Sequence, residues 1–178
     1  MKMRLYHVGD RAIPEPDVHY GRRNADFGQG FYLTPEPEFA RRWAGEKAVL
    51  NEYELELDGL TVQYLQRDEA WFDCIFRSRR GQDGLRADVV IGPIANDTIF
   101  DTMGIVSSGF LAPSEALRLL QIGPAYTQVA VRTPAAAGQL RWLGAEALSR
   151  PDEETRRREA ADYQRAFAAA LTALTGEE

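Results

Sequence analysis

A chain of 178 residues with net charge −6 and one cysteine, Cys74, has the size of a single globular domain and no means of forming an internal disulfide. Its 44% apolar and 27% charged content is that of an ordinary folded protein, and the acidic balance argues against broad nucleic-acid binding, which relies on phosphate neutralisation by Lys and Arg. No apolar run approaches the ~20 residues of a membrane span, and the start MKMRLYHVGD has no signal-peptide core, so the expectation is a cytoplasmic protein without a membrane partner.

MRLYHVG reads as a first strand ending at Gly9-Asp10, and residues 11–25, with Pro14, Pro16, Gly21 and Asn24, read as a loop. DFGQGFYLT, 26–34, mixes strand-forming aromatics with two glycines. Glycine inside a strand marks a bulge or a close backbone approach, so this run predicts a strand beginning beside an occupied cleft. Thr34-Pro35 is a helix start, and a helix over 35–48 would place Phe39, Ala40, Trp43 and Ala44 on one face. NEYELEL alternates Tyr53, Leu55 and Leu57 against Glu52, Glu54 and Glu56, a half-buried strand; Asp58-Gly59 before LTVQYL predicts a hairpin partner.

Asp68 can cap a second helix with Trp71, Phe72, Ile75 and Phe76 inside, which puts Cys74 on a buried face and makes its thiol unreactive. RADVVIGPI is short and continuously apolar, the mark of a central strand. A loose helix is expected around 97–106, another from Pro113-Ser114 with Leu117, Leu120 and Gln121 at helical spacing, then a late strand YTQVAV. Thr133-Pro134 repeats the helix start, and from about 152 Ala160, Tyr163, Phe167, Leu171 and Leu174 form the stripe of a long amphipathic helix. Strands and helices do not alternate regularly, so the fold class is α+β. The division is a domain over 1–150 and an amphipathic helix over 151–178 that packs on it or extends it.

His7 and His19 are the only histidines, and one cysteine with no His-x-x-x-His spacing leaves no zinc motif and no metal site. Gly-x-Ser-x-Gly and a phosphate-loop Gly-Lys-Ser/Thr are both absent from the sequence. His7 at the end of strand one and Tyr32 on the next strand remain. Each is equally readable as a capping histidine or a core tyrosine.

LYH at 5–7, DFGQGFYLT at 26–34, ADVVIGPIAND at 87–97 and YTQVAVRT at 126–133 together resemble a bacterial family of uncharacterised function within the ADP-ribosyltransferase superfamily, over roughly 3–143. Diphtheria toxin and the poly(ADP-ribose) polymerases belong to that superfamily. The resemblance implies a split β-sandwich with flanking helices and an added C-terminal helix, gripping NAD between its sheets. It implies a catalytic triad of His7, Tyr32 and Gln128, with Gln128 where most relatives carry glutamate. It also implies an NAD-binding set of His7, Val8, Gly9, Arg23, Phe27, Gly28, Gly30, Phe31, Tyr32 and Thr34. His7 would bond a ribose hydroxyl, Tyr32 would stack on nicotinamide, and Gln128 would bond the nicotinamide-side ribose, with Glu52 and Glu54 as fallbacks for the third position. The implied activity is an ADP-ribosyltransferase of the glycosyltransferase class. NAD would be its substrate, without metal, an unknown macromolecule its acceptor, and a role as the toxin of a toxin–antitoxin pair would give it an antitoxin partner. The alternatives are an NAD- or ADP-ribose-binding module without transfer and a partner-binding protein.

Overall fold

The computed structural model describes residues 1–42, 44–95, 109, 111–123, 125–149 and 153–176. β1 (Lys2–Gly9) pairs antiparallel with β3 (Ala48–Glu56), and β3 pairs with β7 (Leu140–Leu148), giving a three-stranded sheet in the order β1-β3-β7. A four-stranded sheet runs β2 (Phe31–Leu33), β6 (Thr127–Val131), β5 (Val89–Pro93), β4 (Val62–Tyr64), antiparallel except for the parallel β4–β5 pair. The two sheets join where Tyr6 and Thr34 exchange backbone hydrogen bonds of 2.8 and 2.9 Å. The class is α+β, with two sheets and five helices among the described residues.

Period-2 alternation decides what faces the sandwich. Leu5, Tyr53 and Leu55 of one sheet meet Phe31, Leu33, Val89, Ile91, Val129 and Val131 of the other. On the opposite face of the four-stranded sheet, Phe27, Val90 and Ala130 pack against Trp71, Phe72 and Ile75 of α2 (Glu69–Arg79) and Leu120 of α3 (Pro113–Leu120). This explains the unbroken apolar run of β5: it is covered on both faces, as parallel-paired strands usually are. Asp68 caps α2 as expected, its side chain accepting from Trp71 N at 2.9 Å. Each large side chain buried under α2 stabilises the fold by about 1.5–3 kcal/mol.

Several expectations need correction. LTVQYL is not the hairpin partner of NEYELEL; β4 lies in the other sheet, parallel to β5. Gly59 does make a turn, at φ +80°. Asp88 then anchors the chain after it, accepting from Thr61 N at 2.8 Å and from Thr133 Oγ1 at 2.7 Å. The helix after β2 is short, α1 (Pro37–Arg42), because Ala48 onward is taken into β3. Thr34 turns the chain before it, accepting from Glu36 N at 3.2 Å and donating to Glu36 Oε2 at 2.6 Å. Trp43 and the helix expected at 97–106 lie outside the described residues. After α4 (Pro134–Gly138), capped by Thr133, an unforeseen β7 fills the second edge of β3, with a bulge at Glu52/Tyr53.

Cys74 is half-buried rather than buried, and desolvation pushes its thiol up to about 11. The last helix, α5 (Glu153–Thr175), contains no buried residue: Tyr163, Phe167, Leu171 and Leu174 are half-buried and Ala160 is exposed. Arg42, lying over the Tyr126 ring, reaches its Glu159 at 3.2 Å.

Candidate functional site

The end of β1, the start of β2 and the loop 10–21 enclose a cavity of about 690 Å³, within the range of small-molecule sites. His7, Gly9, Ile13, Tyr20, Gly30 and Phe31 line it, with Asp10, Glu15 and Asp17 at its loop wall. A larger, charged groove of about 1140 Å³ runs between α1, Tyr126 and α5. It holds none of the residues expected in catalysis or NAD binding, though Phe39, Ala160 and Tyr163 of the expected apolar helix faces line it.

β1 places His7 beside β2, where the ring packs on Phe31 at 4.4 Å between centroids and Nδ1 lies 2.7 Å from the Tyr32 carbonyl oxygen. A carbonyl only accepts, so Nδ1 carries the proton and Nε2 is left as a bare acceptor beside Gly9. Burial lowers the imidazole pKa, and the Tyr32 hydrogen bond only partly opposes it. The ring is neutral at pH 7. Because the folded pKa lies below the unfolded value of about 6.5, His7 contributes stability above that value and loses it as pH falls through the folded pKa. The stability difference between wild type and His7→Gln, measured by thermal melts, should therefore be largest at about pH 7–8 and narrow below about pH 6. A pH-independent difference would contradict a buried neutral imidazole.

Tyr32 lies on the opposite face of β2 from Phe31 and His7. Its ring packs toward Phe27 and α2, and its hydroxyl accepts from Phe27 N at 2.9 Å and donates to Gly28 O at 2.6 Å. Desolvation raises its pKa far above the ordinary phenol range. The phenol thus braces the glycine turn of DFGQG, where Gly28 takes φ +77°. Tyr32→Phe should cost about 1–2 kcal/mol by orphaning both backbone groups, read as a shift of the urea midpoint; an unchanged midpoint would show that the brace contributes nothing.

Gln128 shares the Tyr32 face, two residues along β6 from Ala130, the partner of Tyr32. It is 5% exposed, and its Nε2 donates to Asp26 Oδ2 at 2.8 Å. Arg79 pairs with Asp26 Oδ1 at 2.6 Å, and Ala95 N donates to Oδ2 at 3.3 Å.

Of the expected NAD-binding residues, the structure gathers His7, Gly9, Gly30 and Phe31 at the cavity, and Tyr32 borders it with its ring turned to the other face of β2. At Gly30 a Cβ would come within 2.8 Å of Val131 O, so a side chain has no room there. Val8 pairs with Leu50 inside the sheet, Arg23 is exposed, Phe27 is fully buried beneath α2, Gly28 backs onto Asp83, and Thr34 is tied to Glu36. Glu54 pairs with Lys2 and Arg141, and Glu52 with Arg4, all on the outer sheet face, away from the cavity. Sequence reasoning passed over Asp26, Arg79 and Asn51; an acid directly before a buried phenylalanine was the available signal for the first.

Over residues 3–142 the sequence matches a family with no activity in its description. The chain belongs to that family, described as a protein of unknown function (DUF3990). No curated protein sequence matches it. Of the seven strands among the described residues the match takes in β2 to β6 whole, β1 but for Lys2 and the start of β7, with every residue lining the cavity, while α5 falls beyond it. No described helix is long and apolar enough to cross a membrane, and among the described residues no group of three or more His, Cys, Asp or Glu could hold a metal ion.

Proposed function

We propose that this protein is an NAD-dependent ADP-ribosyltransferase with an ADP-ribosyltransferase-like split β-sandwich, and that NAD binds at the junction of the two sheets. The observation that carries the reading is the His7 imidazole, neutral and locked on the Tyr32 carbonyl, with Nε2 left to accept a hydroxyl in the cavity. A ribose offers that hydroxyl. The Tyr32 ring lies across β2 from it, so a ligand meeting both must cross the chain near Gly28 and Gly30, beside the Asp83 and Arg132 side chains. A dinucleotide, two nucleosides joined by a pyrophosphate, has that reach.

Loss of nicotinamide leaves a ribose with oxocarbenium character. The Tyr32 face would hold the cationic pyridinium through its ring quadrupole, and the Gln128 amide dipole would stabilise the developing charge. The acceptor is a macromolecule, and the resemblance supports a toxin held in check by an antitoxin in the cytoplasm. A second reading, NAD or ADP-ribose held without transfer, is favoured by one observation: an amide already engaged by Asp26 stands where a free carboxylate would be expected.

Incubation with NAD separates these readings. Nicotinamide release together with thermal stabilisation by NAD is the expected result; stabilisation without release leaves the binding reading, and neither overturns both.

A further inference from the structure

We infer that Asp26 is a positioning residue that, clamped by Arg79, orients the Gln128 carboxamide so that its oxygen rather than its NH2 group faces the substrate. The inference rests on the NAD reading and deepens it. Asp26 is buried at 8% exposure. Its Oδ1 accepts from Arg79 Nε at 2.8 Å and from the Arg79 terminal nitrogen at 2.6 Å, while Oδ2 accepts from Ala95 N at 3.3 Å and Gln128 Nε2 at 2.8 Å. A carboxylate can only accept, so it permits one amide orientation. Oε1 then lies on the far side of the amide from Asp26. For a ribose gaining positive charge this polarity matters. The oxygen is the negative end of the amide dipole and stabilises the oxocarbenium, whereas an inverted amide would present NH2 and oppose it. Arg79 neutralises Asp26, so the trio fixes a dipole without adding net charge.

Asp26→Asn is the discriminating change because it conserves size. The new amide keeps an oxygen for Arg79 and turns its NH2 toward Gln128, which must invert to accept, and toward Ala95 N, which loses its long 3.3 Å acceptor in both Asp26→Asn variants. The kcat for nicotinamide release should fall roughly 10-fold or more, with KM for NAD held within about threefold. The double variant Asp26→Asn/Gln128→Glu conserves the charge of the trio and again presents an oxygen to the ribose. Its kcat should return to within about threefold of wild type. Gln128→Glu alone sets two carboxylates against each other and should lower the melting temperature, a loss that adding Asp26→Asn reverses.

Wild-type kcat in folded Asp26→Asn, or a folded double variant no faster than Asp26→Asn, overturns the positioning role while leaving the NAD reading intact. If Asp26→Asn fails to fold, the double variant decides: near-wild-type kcat supports the inference and a depressed kcat overturns it. A wild type that binds NAD without releasing nicotinamide overturns it too, leaving the binding reading. A wild type neither stabilised by NAD nor active removes the NAD reading itself.

Discussion

Asp26→Ala should lower the unfolding free energy by about 3–5 kcal/mol, the range for a buried ion pair that loses one partner. The Arg79 side chain is only 12% exposed, so its guanidinium cannot recover its hydration by swinging out. Gln128 Nε2 and Ala95 N lose their acceptor in the same step. The loss comes from stranding partners rather than from the pair being strongly stabilising. Asp26→Leu/Arg79→Met, which removes both charges in favour of apolar side chains, should therefore regain the part of it due to the uncompensated guanidinium. Urea denaturation of the two variants tests this; a loss below about 1 kcal/mol for Asp26→Ala would mean the cluster is hydrated and the ion pair weak.

Asn51→Ala should cost about 2–4 kcal/mol and loosen the wall of the cavity. Asn51 is fully buried on β3. Its Oδ1 accepts from Ile13 N at 2.8 Å and Trp142 Nε1 at 3.2 Å, and its Nδ2 donates to Arg11 O at 2.9 Å. Tyr53 adds a hydrogen bond from its hydroxyl to Ile13 O at 2.7 Å. Loop 10–14 is thus pinned from beneath by two neighbouring side chains of one strand. Without Asn51 three polar groups lose their partner, and the segment lining the cavity gains freedom that a ligand must remove on binding. Amide hydrogen exchange at Ile13 should speed up and, on the proposed NAD reading, stabilisation by NAD should shrink. Unchanged exchange at Ile13 would show that Tyr53 alone suffices.

Local chemistry was legible in the residues. The Asp68 cap, the Thr133-Pro134 helix start, the alternation of NEYELEL and the two-sided apolar run of RADVVIGPI each depend on neighbours within a few positions, and each formed as read. The class, α+β, followed from their order. DFGQG also declared itself, since Gly28 at φ +77° and the crowded Gly30 need glycine for reasons of conformation and space.

Partner choice was not legible. Asp58-Gly59 specifies a turn but not which strand the next run joins, and contacts from Asp88, some 30 residues on, carry β4 into the other sheet. β7, with Gly144, Ala145 and Ala147, has weak strand propensity and forms because β3 offers an open edge with Tyr53 and Leu55 to cover. The same holds for the candidate site. The sequence marked His7 and Tyr32 as a polar and an aromatic residue on two strands, and the resemblance added Gln128 on a third. Which face of β2 each side chain takes, and that Gln128 answers to Asp26 and through it to Arg79, depend on pairing register and on an ion pair spanning 53 residues. Register is set when whole sheets close on a core, and a one-residue slip would exchange the two faces.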